Sequence, residues 1–276
     1  MSRIRTLDME FKDIPPEVLE KVKEVQRIGV AESDASARFL RDLHELKRRH
    51  YGLNKDLYKT RSAVMTGLAD DLAHEDEVGF QTQFWAVMLR RHRNTRSLCS
   101  KLDRKAMYLI HDITVEWAQG FDFSLIFHFP KNKFFQNRVI RKSFFHAKNY
   151  EPERYPKVTQ VRGDRIVWKK DGKELANLVN GLTAGREGRS FFHWLTRKLS
   201  GGTSTTEQGK AKSEMMEADA RVGMFIRDNI IPLAMYYHPL AVGSALELGI
   251  DCSEFVGTDN EGENGSDGSG SDTETE

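Results

Sequence analysis

The residues with the plainest chemistry lie at the end of the chain. Asp251, Glu254, Asp259, Glu261, Glu263, Asp267, Asp272, Glu274 and Glu276 are nine carboxylates among the last 26 residues, with no lysine or arginine between them. Such a segment attracts a polycation. Each exposed contact is weak, because salt screens charges beyond about 8–10 Å, but many contacts add up and stay reversible. Ser269, Ser271 and Thr273 each have an acid three residues on. They suit an acid-directed kinase, and each phosphate would add about −1.5 to −2 charge.

The middle of the chain has the opposite sign. Residues 80–200 hold 24 Lys/Arg against 10 Asp/Glu, although the whole chain is only +1. Within the basic set from Arg90 to Lys173, clusters stand out at Arg90, Arg91, Arg93 and Arg96, at Lys131 and Lys133, and at Arg138, Arg141 and Lys142. Charge asymmetry of this kind concerns partners rather than fold. It fits a surface for nucleic acid or acidic proteins, or a docking place for the chain's own acidic tail, which would then be autoinhibitory. Phe134, Phe135 and Phe144 interleave with these cations, but strand alternation sends aromatics of this kind mostly toward a core rather than out for base stacking.

Catalytic patterns are missing. His44-Glu45 is followed by Leu, Lys and Arg, so the zinc-binding H-E-x-x-H helix is not formed. Gly181, Gly185 and Gly188 lack the lysine of a phosphate loop. Asp112 and Glu116 have no evident acid–base partner. His111, His128 and His146 fit packing or strand-edge roles. Cys99 and Cys252 have no metal-ligand spacing, and Cys99 reads as a small buried hydrophobe. The expectation is a protein that is not an enzyme and uses no cofactor or metal. No apolar run reaches the roughly 18 residues of a membrane span, and the N-terminus lacks a signal-peptide core, which points to a soluble intracellular protein. Lys47-Arg48-Arg49 fits the wet face of a helix better than an import signal.

These groups need elements to position them. After a flexible stretch at 1–14, Pro15-Pro16 suits the first turn of a helix, and the spacing predicts one long helix over 15–66. Phe39, Leu43, Leu46, His50, Leu53 and Leu57 step by 4, 3, 4, 3, 4, the spacing of a helix that pairs with another helix. Val18, Val22 and Val25 give a similar stripe. A helix of roughly 50 residues is about 75 Å long, too long to bury its stripe against one small domain, so a second copy is its natural partner. Two shorter helices folded back at Gly29 are the alternative. Residues 67–79 read as a linker, 80–240 as a domain, and 241–276 as a disordered acidic tail. In the domain, alternation predicts strands at Ile113–Trp117, Phe121–Phe129, Arg138–His146 and Arg165–Lys169, a four-stranded antiparallel sheet. Irregular chain is expected over 171–189, then helices at 190–199 and Glu214–Asn229, with a restart at Pro232. The order is α+β.

Five ordered stretches carry a family resemblance: HELKRRHYGLNKDLYKTRSAVMTG (44–67); FWAVMLRRHRNTRSL with LIHDITVEW (84–98, 109–117); FSLIFHFPKNKFFQNRVIRKSFF (123–145); IVWKK with SFFHW (166–170, 190–194); and IRDNIIPLAMYY (226–237). Together the chain resembles the nucleosome assembly protein and SET family. The resemblance implies an antiparallel homodimer through the long helix, an "earmuff" domain on each protomer, and core histones as partners held by acidic surfaces and an acidic tail. It implies chaperone work in nucleosome assembly and histone transport, in nucleus and cytoplasm; DNA as a further partner is read from the basic residues, and no membrane is expected. The chain departs from the family's usual strongly acidic domain, and Pro130-Lys131-Asn132-Lys133 stands where the family tends to carry acid.

Overall fold

The computed structural model describes residues 15–71, 84–148, 155–201 and 206–237. The chain is α+β, as the periodicities predict. Helix α1, Pro16–Asp71, is continuous over 56 residues, about 84 Å at 1.5 Å per residue. Gly29 lies within it and makes no turn, so the hairpin alternative falls. The helix also runs five residues into the segment expected to be a linker. Along its exposed face, Glu20–Lys23, Glu24–Arg27 and Glu45–Arg48 pair one turn apart, a weak support in water.

The domain opens with three short helices, α2 (Phe84–Arg91), α3 (Arg93–Arg96) and α4 (Arg104–Met107). A five-stranded sheet follows in the order β1-β2-β3-β4-β5. The strands are β1 (Asp112–Trp117), β2 (Phe123–His128), β3 (Val139–His146), β4 (Val158–Gly163) and β5 (Lys198–Ser200), and every neighbouring pair is antiparallel. Gly120, at φ 68°, makes the turn between the first two, a backbone conformation that costs other residues more.

The sheet corrects the expectation of four strands in two places. The fourth strand is 158–163, not Arg165–Lys169, where the chain forms a single bridge between Phe135 and Trp168. Strand β4 buries Val158, Val161 and Gly163 between polar residues, a weaker alternation than Ile166 and Trp168 display. Gly163 is required there, because a Cβ would lie 2.1 Å from the Leu195 carbonyl oxygen. The fifth strand has three residues, too few to show a period of two.

Residues 171–189 are irregular only from Ala184 onward. Helix α5, Lys173–Thr183, buries Leu175, Ala176, Val179 and Leu182. That is one stripe at helical spacing, obscured in the sequence by the surrounding glycines. Helix α6 (Phe191–Thr196) is capped by the Ser190 hydroxyl, which accepts from His193 N–H at 3.3 Å. Helix α7 (Glu207–Phe225) begins seven residues before Glu214, capped by Thr206. Pro232 does not restart the chain. A π turn over Ile226–Ile230 leads straight into α8 (Ile231–Tyr237). Proline's ring crowds the carbonyl four residues back in a regular helix, and the wider turn relieves that crowding.

The helices cover one face of the sheet. Phe123, Leu125 and Phe127 of β2 and Ile140 and Phe144 of β3 share that face by register and are buried with Trp85, Met88, Phe191, Phe192 and Trp194. Phe123 stacks on Phe144 at 4.8 Å and Phe127 meets Phe191 edge-on at 5.6 Å, geometries that add to simple burial. On the opposite face one row crosses all five strands: Glu116, Ser124, Ser143, Arg162 and Lys198.

Candidate functional site

Helix α1 carries two stripes. The first is polar and grips the domain. His44 Nδ1 lies 3.1 Å from the Tyr155 hydroxyl, Lys47 donates to Asp228 at 2.7 Å, and Arg61 donates to the Ile231 carbonyl at 2.9 Å. Ser62 donates to Asp112 at 2.5 Å, and the Tyr51 hydroxyl accepts from the Val115 N–H at 2.9 Å. The 44, 47, 51, 62 spacing places four of these residues on one side of the helix, and Arg61 reaches the domain from its flank. The second stripe is the 4-3-4-3-4 set, about 120° around the helix at 3.6 residues per turn. Its members turn away from the domain: Phe39, Leu53 and Leu57 are 64%, 84% and 66% exposed, and Leu43, Leu46 and His50 are exposed as well. Contiguous apolar exposure of this kind marks a contact surface.

The polar stripe ends on a buried ionic knot in the π turn. Arg227 is buried and donates to Asp228 through Nε at 2.6 Å and Nη2 at 2.9 Å, while its guanidinium lies 4.3 Å from the Phe123 ring and 4.8 Å from that of Trp117. Burial alone would raise the Asp228 carboxyl, but the hydrogen bonds and charges of Arg227 and Lys47 outweigh it and hold it below its usual value. Burial, then the Arg227 charge, pushes His44 down to about 4. His146, beside Asp122, is likewise lowered by burial. The knot therefore holds the His44 imidazole beside a paired arginine, and it fixes the helix to the domain rather than offering reactive groups. Sequence periodicity singled out the apolar stripe and missed the polar one, although His44, Tyr51 and Tyr58 recur every seven residues.

The basic candidates separate. Lys142 is not a surface residue. It faces the core because it pairs with Leu125 in register, its side chain is fully buried, and its ammonium contacts Asp219 and the Trp194 carbonyl. Burial pushes it down to about 8. It shares the helix-covered face with Ile140 and Phe144, which corrects its reading as surface charge. Arg141, on the open face, pairs with Glu116 at 2.9 Å. Arg90 is half-buried against the Tyr108 hydroxyl at 3.0 Å, and Arg91, Arg93 and Arg96 are exposed around α2 and α3. Lys131 and Lys133 are exposed on the β2–β3 loop. Phe135 and Phe144 are buried and Phe134 is half-buried, as alternation predicts.

Asp112 and Glu116 are taken up by Ser62 and Arg141. Burial raises the Cys99 thiol to about 12, far from the thiolate range that reactivity needs. Among the described residues no group of three or more His, Cys, Asp or Glu could hold a metal, and no helix is long and apolar enough to cross a membrane. The nine tail carboxylates, Ser269, Ser271 and Thr273 lie outside the described residues.

A family model described as nucleosome assembly protein (NAP) matches residues 20–239. Nucleosome assembly protein 1-like 4 of Homo sapiens is 22% identical, over 86% of this chain and 76% of its own length. Nucleosome assembly protein 1;2 of Oryza sativa is 23% identical, over 82% of this chain and 68% of its own. In three dimensions the chain is similar to nucleosome assembly protein 1 from Plasmodium knowlesi, with a TM-score of 0.56 at 22% identity, covering 83% of this chain and 99% of that one. On a match of this extent, the chain belongs to the nucleosome assembly protein family.

Proposed function

We propose that the chain is a histone chaperone that works as a homodimer and shields histone charge during nucleosome assembly and histone transport, between cytoplasm and nucleus. The observation that carries the reading is the combination of a family domain over 20–239 with a terminal segment of nine carboxylates and no cation. The domain itself is basic, so charge shielding of a polycation falls to the tail. Phosphorylation at Ser269, Ser271 or Thr273 would strengthen it by adding charge. The dimer rests on the apolar stripe of α1, which the domain leaves uncovered over a helix longer than the domain needs.

The test is binding of purified core histones by the full chain and by a chain with the nine tail acids replaced by their amides, each at two salt concentrations. The full chain is expected to bind histones with an affinity that falls as salt rises, and the amide chain to bind markedly less well. Equal affinity in both chains would overturn the tail's role, and no histone binding by either would overturn the chaperone reading.

A further inference from the structure

Two segments of the domain are built into one basic platform that the sequence presents as separate clusters. The first is the β2–β3 loop and start of β3, with Lys131, Lys133 and Arg138. The second follows β4, with Arg165, Lys169, Lys170 and Lys173. Backbone bonds join them: Gln136 N–H donates to Val167 at 2.9 Å and Lys169 N–H to Phe134 at 2.8 Å. Asn137 adds two more, accepting from Val167 N–H at 2.8 Å and donating to the Arg165 carbonyl at 3.1 Å. The loop's own shape is fixed by Asn132, whose side-chain oxygen accepts from the N–H groups of Phe134 and Phe135, both at 3.0 Å. Gly172 closes the junction, since a Cβ there would lie 2.2 Å from the Phe134 carbonyl oxygen.

Lys169 is spent inside this junction, on the Asn132 carbonyl at 2.5 Å. The other six cations are exposed. None forms an ion pair with a carboxylate among the described residues, whereas Arg141 next door is paired with Glu116. The two segments contain three acids, Asp164, Asp171 and Glu174, and Asp164 accepts from the Arg141 N–H at 2.9 Å. Six exposed cations on two joined segments repel one another, salt screens that repulsion only in part, and a polyanion relieves it further.

We propose that this platform binds the phosphate backbone of duplex nucleic acid without reading sequence. Lysine is depleted from protein–protein interfaces, while nucleic-acid interfaces are polar and strongly positive. The platform is lysine-rich, which favours nucleic acid over an acidic protein partner. Helix α5 begins at Lys173 and buries its stripe in the domain, so the platform offers cationic heads for phosphate contacts, which position rather than specify. Because the backbone bonds and Asn132 hold the two segments in place before binding, little ordering is left to do on association. The inference is independent of the histone reading, which rests on charge of the opposite sign elsewhere in the chain.

The experiment uses the full chain and a labelled duplex DNA of mixed sequence, titrated at several salt concentrations. Each duplex phosphate contact contributes about −0.9 to the slope of log affinity against log salt. Replacing Lys131, Lys133, Lys170 and Lys173 together by alanine is expected to weaken binding roughly tenfold or more and to flatten that slope by about 3.6. These side chains are exposed, so the thermal midpoint should stay put, and core-histone affinity should not fall. A charge-matched control replaces Arg96, Lys101, Arg104 and Lys105. If the control weakens DNA binding as much as the platform variant, the charge acts diffusely and the proposal fails. It also fails if the full chain binds duplex only after the nine tail acids are made amides, because the tail would then be the platform's occupant.

Discussion

Lys142 and Asp219 form an ion pair 3.0 Å long whose side chains are 0% and 3% exposed. The pair ties the middle strand of the sheet to α7, and Arg197 joins it on the second Asp219 oxygen at 2.9 Å. Removing one partner of an isolated buried pair costs about 3–5 kcal/mol; in Lys142→Met the Asp219 carboxylate keeps Arg197, so the loss falls at the lower end of that range or below it. Lys142→Met is therefore expected to lower the unfolding free energy by about that much in denaturant titration, and adding Asp219→Leu should recover part of the loss. The wild type should also show a pH signature. An ordinary lysine keeps its proton to about 10.5, while burial pushes folded Lys142 down to about 8. Between those values the unfolded chain binds more protons, so this group's contribution to stability rises with pH across that window. Lys142→Met should lack the rise; an identical pH profile in wild type and variant would refute the assignment.

Strand β1 is an edge strand, and an unpaired edge invites strand addition. Tyr51 blunts it by accepting the Val115 N–H at 2.9 Å. In Tyr51→Phe the amide keeps its burial and loses its acceptor, which costs about 1–3 kcal/mol. Hydrogen exchange at the Val115 amide should accelerate accordingly, and unchanged protection would show that the phenol is not what guards the edge.

Association through α1 can be tested without disturbing the domain, because the two stripes of the helix are separate. Leu53 and Leu57 touch nothing that the fold depends on, being 84% and 66% exposed. Sedimentation of the wild type at micromolar concentration should give twice the 31.7 kDa chain mass, and Leu53→Glu with Leu57→Glu should return a single-chain mass with the helical signal of the folded domain intact. A wild type that sediments as one chain removes the dimer from the proposed function.

The apolar stripe, the β2 alternation and the ordered family stretches were legible because each is a local period. What escaped the sequence is non-local. Lys142 looked like surface charge until strand pairing placed it opposite Leu125. Lys131 and Lys170 looked like separate clusters until Asn137 and the 134–136 to 167–169 bonds joined their segments. Helix α5 was hidden because its glycines punctuate the chain more loudly than Leu175, Val179 and Leu182 repeat. Strand β5 exists only because β4 offers it an edge: three residues have no period of their own.

Acid should loosen the grip of α1 on the domain through His44. Its ring sits 4.8 Å from Phe121 and 5.1 Å from Trp117, and the charged or titratable groups around it are Tyr155, Arg227, Asp228, His146 and Lys47. Burial foremost, then Arg227, takes it from an ordinary 6.5 down to about 4. Below 6.5 the unfolded chain takes up a proton that the folded chain refuses until about 4. The unfolded state thus binds more protons in that window, and stability is lost as pH falls through it. One proton corresponds to a slope of about 1.4 kcal/mol per pH unit at most. His193, held at about 4 by burial and then by Arg197, and His146 contribute in the same direction, so the acid dependence will not vanish when one ring is removed. In His44→Phe, which keeps the aromatic packing and loses the titration, the slope between pH 6.5 and 4 should fall by up to that single-proton amount in denaturant titrations. If wild type and variant lose stability in parallel over that range, His44 is already protonated in the folded chain, and acid must act on α1 through another group.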